Sequence, residues 1–315
     1  MTTKITNQLK EKLPKQVTIF EVGPRDGLQN EPHLASLGNK ATTLKIELIN
    51  ALSETGLRHI ESGAFVSPKM IPTMADSSSV MSQISRQPQV CYSALTPNLK
   101  GLEAAINVNA NEIAIFTSCS ETFTQKNINA SISESIKRFE PVITVAHQHL
   151  IPIRAYLSCV MNCPYEGKTS TAQVTSIAQT LIDMGCYQVS LGDTIGTGTP
   201  LRVACLLEEM QKQIVATAIA VHFHDSYGQA LANIYQALLM EITTIDSSVA
   251  GLGGCPYAPG ASGNVATEDV LYLCQELGIE TGVDLKKMTA IGHRICHQLG
   301  IRSHAKVGIA MTHPQ

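Results

Sequence analysis

The sequence predicts an α/β protein built as a single TIM (β/α)8 barrel, and three observations carry that prediction. Eight short apolar or β-branched runs alternate with longer stretches whose apolar residues recur at helical spacing. No low-complexity tract, charge block or Pro/Gly/Ser linker interrupts the 315 residues. One domain is therefore expected over 1–315, with a core at about 17–283 and a helical C-terminal extension at 284–315. The turn after the first run reads GPRDGLQNE and lacks the GxGxxG of an open doubly wound sheet, the runner-up architecture.

Strands are expected over Val17–Val22, Arg58–Phe65, Val90–Leu95, Glu112–Phe116, Ile153–Val160, Tyr187–Leu191, Ala218–His224 and Thr244–Val249. Between the first two, Leu44, Leu48 and Leu52 fall on one helical face, and Gly56 stands where a C-terminal cap ends that helix. Thr96-Pro97 and Thr199-Pro200 each place a capping hydroxyl before a proline, whose missing N–H costs nothing at the first helical position. Both are read as helix starts directly after strands. Val174, Ile177, Ala178 and Leu181 form another apolar stripe, closed by Gly185.

Composition narrows the function classes. A formal net charge of −3 and 4% aromatic residues supply neither a phosphate-neutralising field nor stacking platforms, so nucleic acid is not an expected partner. No stretch is apolar enough to span a bilayer, so no membrane is expected either. The N-terminal MTTKITNQLKEKLPKQ is polar and mixed in charge, and the chain ends Thr312-His313-Pro314-Gln315. Neither end reads as a targeting signal, and a cytoplasmic setting is expected. Nine cysteines without a CxxC pair suit reduced thiols better than a disulfide framework or a structural zinc site.

A parallel barrel gathers the C-terminal ends of its strands on one face, so residues distant in sequence converge there. Arg25 and Asp26 leave the first run, Glu61 lies on the second, Asp193 and Thr194 end the sixth, and His222 and His224 end the seventh. Two residues apart on a strand, the two imidazoles point to one side and can chelate one ion, while Phe223 turns toward the helices. Two hydrogen-bonded core histidines are the alternative. His147 and His149 share the spacing but precede a strand, which places them on the opposite face. His293 and His297, four apart on an expected helix, read as a solvated face. Asp26, His222, His224 and an amide such as Asn264 form an oxygen and nitrogen ligand set suited to Mg2+ or Mn2+, with zinc, cobalt or iron as further candidates. Arg25 offers a permanent cation beside that ion, suited to a developing oxyanion. Glu61 is either part of this site or a buried structural acid. The run from Val249 to Asn264 holds five glycines and carries Cys255, as expected either of a lid over the site or of a structural loop with an incidental thiol.

EVGPRDGLQNE, FVSPK, LTPNLKG, CPYEGK, SLGDTIG, VHFHDSYGQA, SSVAGLGGCPYAPGASGN and ATED, numerous and in order from about residue 17 to residue 283, resemble the hydroxymethylglutaryl-CoA lyase family. The resemblance implies a TIM-barrel metallolyase that splits 3-hydroxy-3-methylglutaryl-CoA into acetyl-CoA and acetoacetate by retro-Claisen cleavage. It makes Asp26, His222, His224 and Asn264 the metal ligands, Arg25 the substrate-binding and catalytic cation, and Cys255 the catalytic cysteine. Asp26 and His222 are the candidate proton acceptors. Glu61, Tyr156, Ser190, Asp193 and Glu268 are expected to support acyl-CoA binding, and a homodimer is implied. A Claisen-condensing synthase of the same superfamily and a lyase for a related 3-hydroxyacyl-CoA are the alternatives. Residues 62–64 and 117–119, near strand ends, depart from the family pattern and bear on acyl-chain specificity.

Overall fold

A computed structural model describes residues 12–38, 40–254 and 263–312. Eight parallel strands close on themselves: β1 (Thr18–Glu21), β2 (His59–Ala64), β3 (Cys91–Leu95), β4 (Glu112–Ser118), β5 (Ile153–Ser158), β6 (Gln188–Asp193), β7 (Ile219–Phe223) and β8 (Thr244–Ser247). Each pairs with its sequence neighbours, and β8 closes on β1 with Thr18 beside Thr244 and Glu21 beside Ser247. This is the TIM barrel, and all eight expected runs are its strands. Six are trimmed by one or two residues at one or both ends, whereas β4 runs on to Ser118 and β6 to Asp193. Val249, expected in the eighth strand, instead opens a 3-10 turn, Val249–Gly251.

Helices wrap the barrel because each offers one apolar stripe to it. In α1 (Lys40–Ser53), Leu44, Leu48 and Leu52 are buried, and Gly56 beyond its end adopts φ +99°. A side chain at Gly56 would also strike the Gly282 carbonyl at 2.1 Å, so glycine is required there on two counts. The helix after β3 corrects one expectation. Thr96 does not cap it, because its N–H continues the ladder to the Ala114 carbonyl at 2.8 Å. The helix, α2 (Leu99–Asn107), starts later with Asn98 as cap, accepting from the Gly101 N–H at 2.9 Å. Thr199 does precede α3 (Pro200–Met210), but its hydroxyl makes no capping bond. Proline geometry alone sets that start.

A two-stranded hairpin, Asn162–Cys163 with Gly167–Lys168, follows β5 at the C-terminal end of the barrel. Beyond β8, α4 (Thr267–Leu277) and α5 (Leu285–Leu299) complete the wall, followed by a short helix at Lys306–Met311. Among the described residues no helix is long and apolar enough to cross a membrane.

Candidate active site

The turn after β1 is a short π-helical stretch, Gly23–Gly27, which aims Arg25 and Asp26 back over the barrel mouth. Glu21 holds that turn: its carboxylate accepts from the N–H groups of Gly23 and Val249, at 2.8 and 2.9 Å, and from the Thr267 hydroxyl at 2.6 Å. Arg25 is 5% exposed and bridges two acids, reaching Asp26 Oδ1 and Glu61 Oε2 at 2.6 Å each. Burial works against its charge, but these carboxylates keep the guanidinium firmly protonated. Tyr156 lies under the guanidinium, ring centroid 5.1 Å from Cζ, and its hydroxyl is buried without a hydrogen-bond partner.

His222 and His224 enter from β7 and the residue just past it, with ring centroids 5.5 Å apart. Phe223, between them, is in the core. One ligand atom from each of Asp26, His222 and His224 lies within 4.8 Å of the others. His222 Nε2 points to Asp26 Oδ2 at 3.8 Å, while Nδ1 meets Asp246 Oδ2 at 3.2 Å. Burial would strip the proton from His222, but the Asp246 hydrogen bond and Asp26 outweigh it and raise its pKa. His224 has no such carboxylate partner, and burial beside His222 pushes it down to about 4. Asp26 behaves oppositely to an isolated buried acid, since Arg25 and then His222 overcome desolvation and hold it at about 2.

A divalent cation fits this arrangement. Asp26 is ionised, His222 Nε2 is left free by the Nδ1 contact with Asp246, and His224 Nδ1 is a buried atom with no hydrogen-bond partner. Asn264 stands beside them and donates from Nδ2 to Asp26 Oδ2 at 2.8 Å. Turning its amide over presents the carbonyl oxygen to the same place, which completes the oxygen and nitrogen set. His147 and His149 lie exposed at the opposite pole, and His293 instead meets the Gly308 carbonyl at 3.1 Å.

Arg25, Asp26, Glu61, Tyr156, His222, His224 and Asn264 thus converge. Ser190 stands behind them, donating to Asp246 Oδ2 at 2.6 Å. Asp193 accepts from the Thr197 and Gly198 N–H groups and shapes the turn after β6. Glu268 turns away: both its oxygens accept from the Ala250 N–H, at 3.0 and 2.9 Å, beneath the 3-10 turn. Cys255 lies outside the described residues. The feet of its segment pass each other closely, since a Cβ on Gly263 would lie 2.0 Å from the Gly253 carbonyl oxygen.

Asp246, Arg154, Glu21 and Gln29 also belong to the site; Glu21 and Gln29 lie within EVGPRDGLQNE, whereas Asp246 and Arg154 fall in no motif. Arg154 is fully buried and grips Asp246 with both terminal nitrogens, at 3.0 and 2.6 Å, while Nε donates to Gln188 at 3.0 Å. Gln29 donates to Asp26 Oδ1 at 2.8 Å. For Asp246 and Arg154 the usable signal is strand alternation: Arg154 and Tyr156 share the inward side of β5, as Thr244 and Asp246 share that of β8.

Glu268 also yields a pH expectation. Burial raises its carboxyl to about 8, against the hydrogen bond from Ala250. A group titrating higher in the folded state than in the unfolded one stabilises fully at low pH and loses that contribution as pH rises through its folded value. Melting temperature should therefore decline between about pH 5 and pH 9, and Glu268→Gln should flatten the decline. Glu21, raised to about 7 by burial, leaves a residual slope. Parallel wild-type and variant curves would refute this assignment.

A family profile described as HMGL-like matches residues 16–295. A Danio rerio protein named 3-hydroxy-3-methylglutaryl-CoA lyase, cytoplasmic, is 53% identical over 299 residues, covering 95% of this chain and 88% of its own. The crystal structure of a Pseudomonas aeruginosa hydroxymethylglutaryl-CoA lyase superposes with a TM-score of 0.91 at 51% identity, covering 96% of this chain and 99% of that one. An HMG-CoA lyase from Acinetobacter baumannii, solved with coenzyme A and 3-methylmalate, gives 0.87 at 34% identity, covering 94% and 95%. These matches span nearly the whole described barrel, and this chain belongs to the hydroxymethylglutaryl-CoA lyase family.

Proposed function

We propose that the protein cleaves 3-hydroxy-3-methylglutaryl-CoA to acetyl-CoA and acetoacetate, and the observation that carries this is Arg25 fixed beside the Asp26, His222 and His224 cluster. Retro-Claisen cleavage needs a base for the tertiary hydroxyl, a means of holding that oxygen, and a cation for the enolate that leaves. Asp26, His222, His224 and Asn264 would hold Mg2+ or Mn2+, which when bound supplies Lewis acidity at the hydroxyl and orients it. Asp26 accepts the hydroxyl proton, since His222 is committed to the ion through Nε2 and to Asp246 through Nδ1. The oxygen's electrons form the ketone of acetoacetate, the carbon–carbon bond breaks, and its electron pair passes to the thioester enolate of acetyl-CoA.

Arg25 would meet the negative enolate oxygen, and its contact with Glu61 holds the guanidinium in position. Asp246 keeps His222 oriented from behind. The enolate carbon then takes a proton, for which Cys255 is the proposed donor. A Cys255→Ser variant that retains full turnover and wild-type solvent-isotope incorporation would remove the thiol from this role. A substrate contact of Tyr156 belongs to the same proposal, as do Ser190, Asp193 and Glu268. The three that hold other protein groups act there by keeping the walls in place. A homodimer, by family resemblance, and a cytoplasmic setting, as named for the Danio rerio relative, complete the reading.

The test is product release from 3-hydroxy-3-methylglutaryl-CoA with Mg2+ or Mn2+, after EDTA, and in His222→Ala. Activity should vanish on chelation and return with metal, and His222→Ala should lose at least about 10²-fold. EDTA-resistant turnover, or none from metal-loaded protein, would reject the proposal.

A further inference from the structure

The opposite pole of the barrel holds a second cluster of ligating side chains. His59 opens β2, Cys91 opens β3 and Glu112 opens β4, so all three sit at the N-terminal ends of neighbouring strands, away from Asp26. His59 and Cys91 are direct register partners, and Glu112 pairs with Ser93 two residues along. One donor atom from each lies within 4.8 Å of the other two.

Their polar atoms are only partly satisfied. Glu112 is 3% exposed, and Oε2 accepts from the Tyr187 hydroxyl at 2.7 Å, but Oε1 is buried with no partner. His59 Nδ1 is likewise buried with no partner, its ring stacked on Phe20 at 5.0 Å. Unpaired buried polar atoms are rare, and two of them beside the Cys91 thiol are what an ion would satisfy. Burial and the Arg154 charge push His59 down to about 4, so its ring is a neutral donor at working pH. The Arg154 charge itself is taken up by its two-point contact with Asp246.

We propose that His59, Cys91 and Glu112 form a second, thiolate-containing metal site for a zinc-class divalent ion, separate from the catalytic face. Donors at about 2.0–2.3 Å from a tetrahedral ion are spaced by about 3.3–3.8 Å, so the cluster needs to contract by about 1.5 Å at most. Binding releases the Cys91 proton, and the +2 ion with one thiolate and one carboxylate is neutral overall, as a partly buried site favours. A thiolate selects zinc or cobalt over magnesium, whereas the catalytic set has no sulfur. The ion ties together the first residues of three strands and acts on stability, not on turnover.

The experiment is Co2+ titration of the chelator-stripped, full-length protein, read by the near-ultraviolet thiolate-to-cobalt charge-transfer band, which the catalytic ligand set cannot produce. The band should appear in wild type and in Cys255→Ser and disappear in Cys91→Ser, with lyase activity retained in Cys91→Ser. Glu112→Gln, which still accepts from Tyr187, keeps the thiol and guards against misfolding of the cysteine variant. It should weaken cobalt binding at this band by about tenfold or more. No thiolate band in wild type, a band lost with Cys255 and kept without Cys91, or unchanged affinity in Glu112→Gln would each overturn the proposal.

Discussion

Arg25→Met is expected to lower kcat by about 10²–10³-fold, because on the proposed mechanism it removes the guanidinium that would meet the enolate oxygen. The side chain is 5% exposed, and its two short contacts to Asp26 and Glu61 leave it no freedom to be replaced by water. Methionine keeps the length and the apolar stem, so the loss isolates the charge. Arg25→Lys should recover part of the rate, since an ammonium restores charge but cannot grip two carboxylates and substrate from one planar fork. Steady-state kinetics with matched metal occupancy decides it. A methionine variant within about tenfold of wild type would show that the guanidinium serves the fold and not the enolate.

The second large effect is on stability. Arg154→Met should destabilise the protein by about 3–5 kcal/mol, because it strands the Asp246 carboxylate inside the barrel. The pair is fully buried, Arg154 also stacks over Phe20 with Cζ 4.2 Å from the ring centroid, and Arg154 holds Asp246 ionised below the usual carboxylate range against strong desolvation. Removing both charges is a different matter: Arg154→Met with Asp246→Leu should regain much of the stability, since two apolar groups carry no desolvation cost. It should not regain activity, because His222 then has no carboxylate at Nδ1. Denaturant midpoints for the two single variants and the double variant test this cycle. Additive losses would mean that the two residues do not act as a pair.

The barrel was legible because a parallel strand buried on both faces needs a continuous apolar or β-branched run, and all eight runs stand out against helical spacing. The short hairpin after β5 was not legible, since two-residue strands leave no period. Asn98 was missed as a cap because Thr96-Pro97 offers the more familiar signal one step earlier. Within the site, the paired imidazoles and Arg25-Asp26 could be found because charged and imidazole groups at strand ends are conspicuous. Arg154 and Asp246 are equally polar but lie singly inside apolar strands, where the same inward alternation that located His222 and His224 would have placed them. Motif resemblance supplied Ser190, Asp193 and Glu268 as residues without their layer. Their hydrogen bonds to Asp246, the β6 turn and Ala250 depend on contacts between segments far apart in sequence.

The close passage of Gly253 and Gly263 bears on how such an enzyme can be altered. Both feet of the Cys255 segment are anchored by backbone: Gly263 accepts from the Asp225 N–H at 2.7 Å, and Gly253 turns with φ +111° against Asn264. The entropic cost of joining those ends is met by the framework and grows only slowly with the length of what lies between. The segment is in that sense a cassette. The nine residues between Gly253 and Gly263 should tolerate added length, with Cys255 kept, while the glycine pair, and with it the amide of Asn264, stays in register.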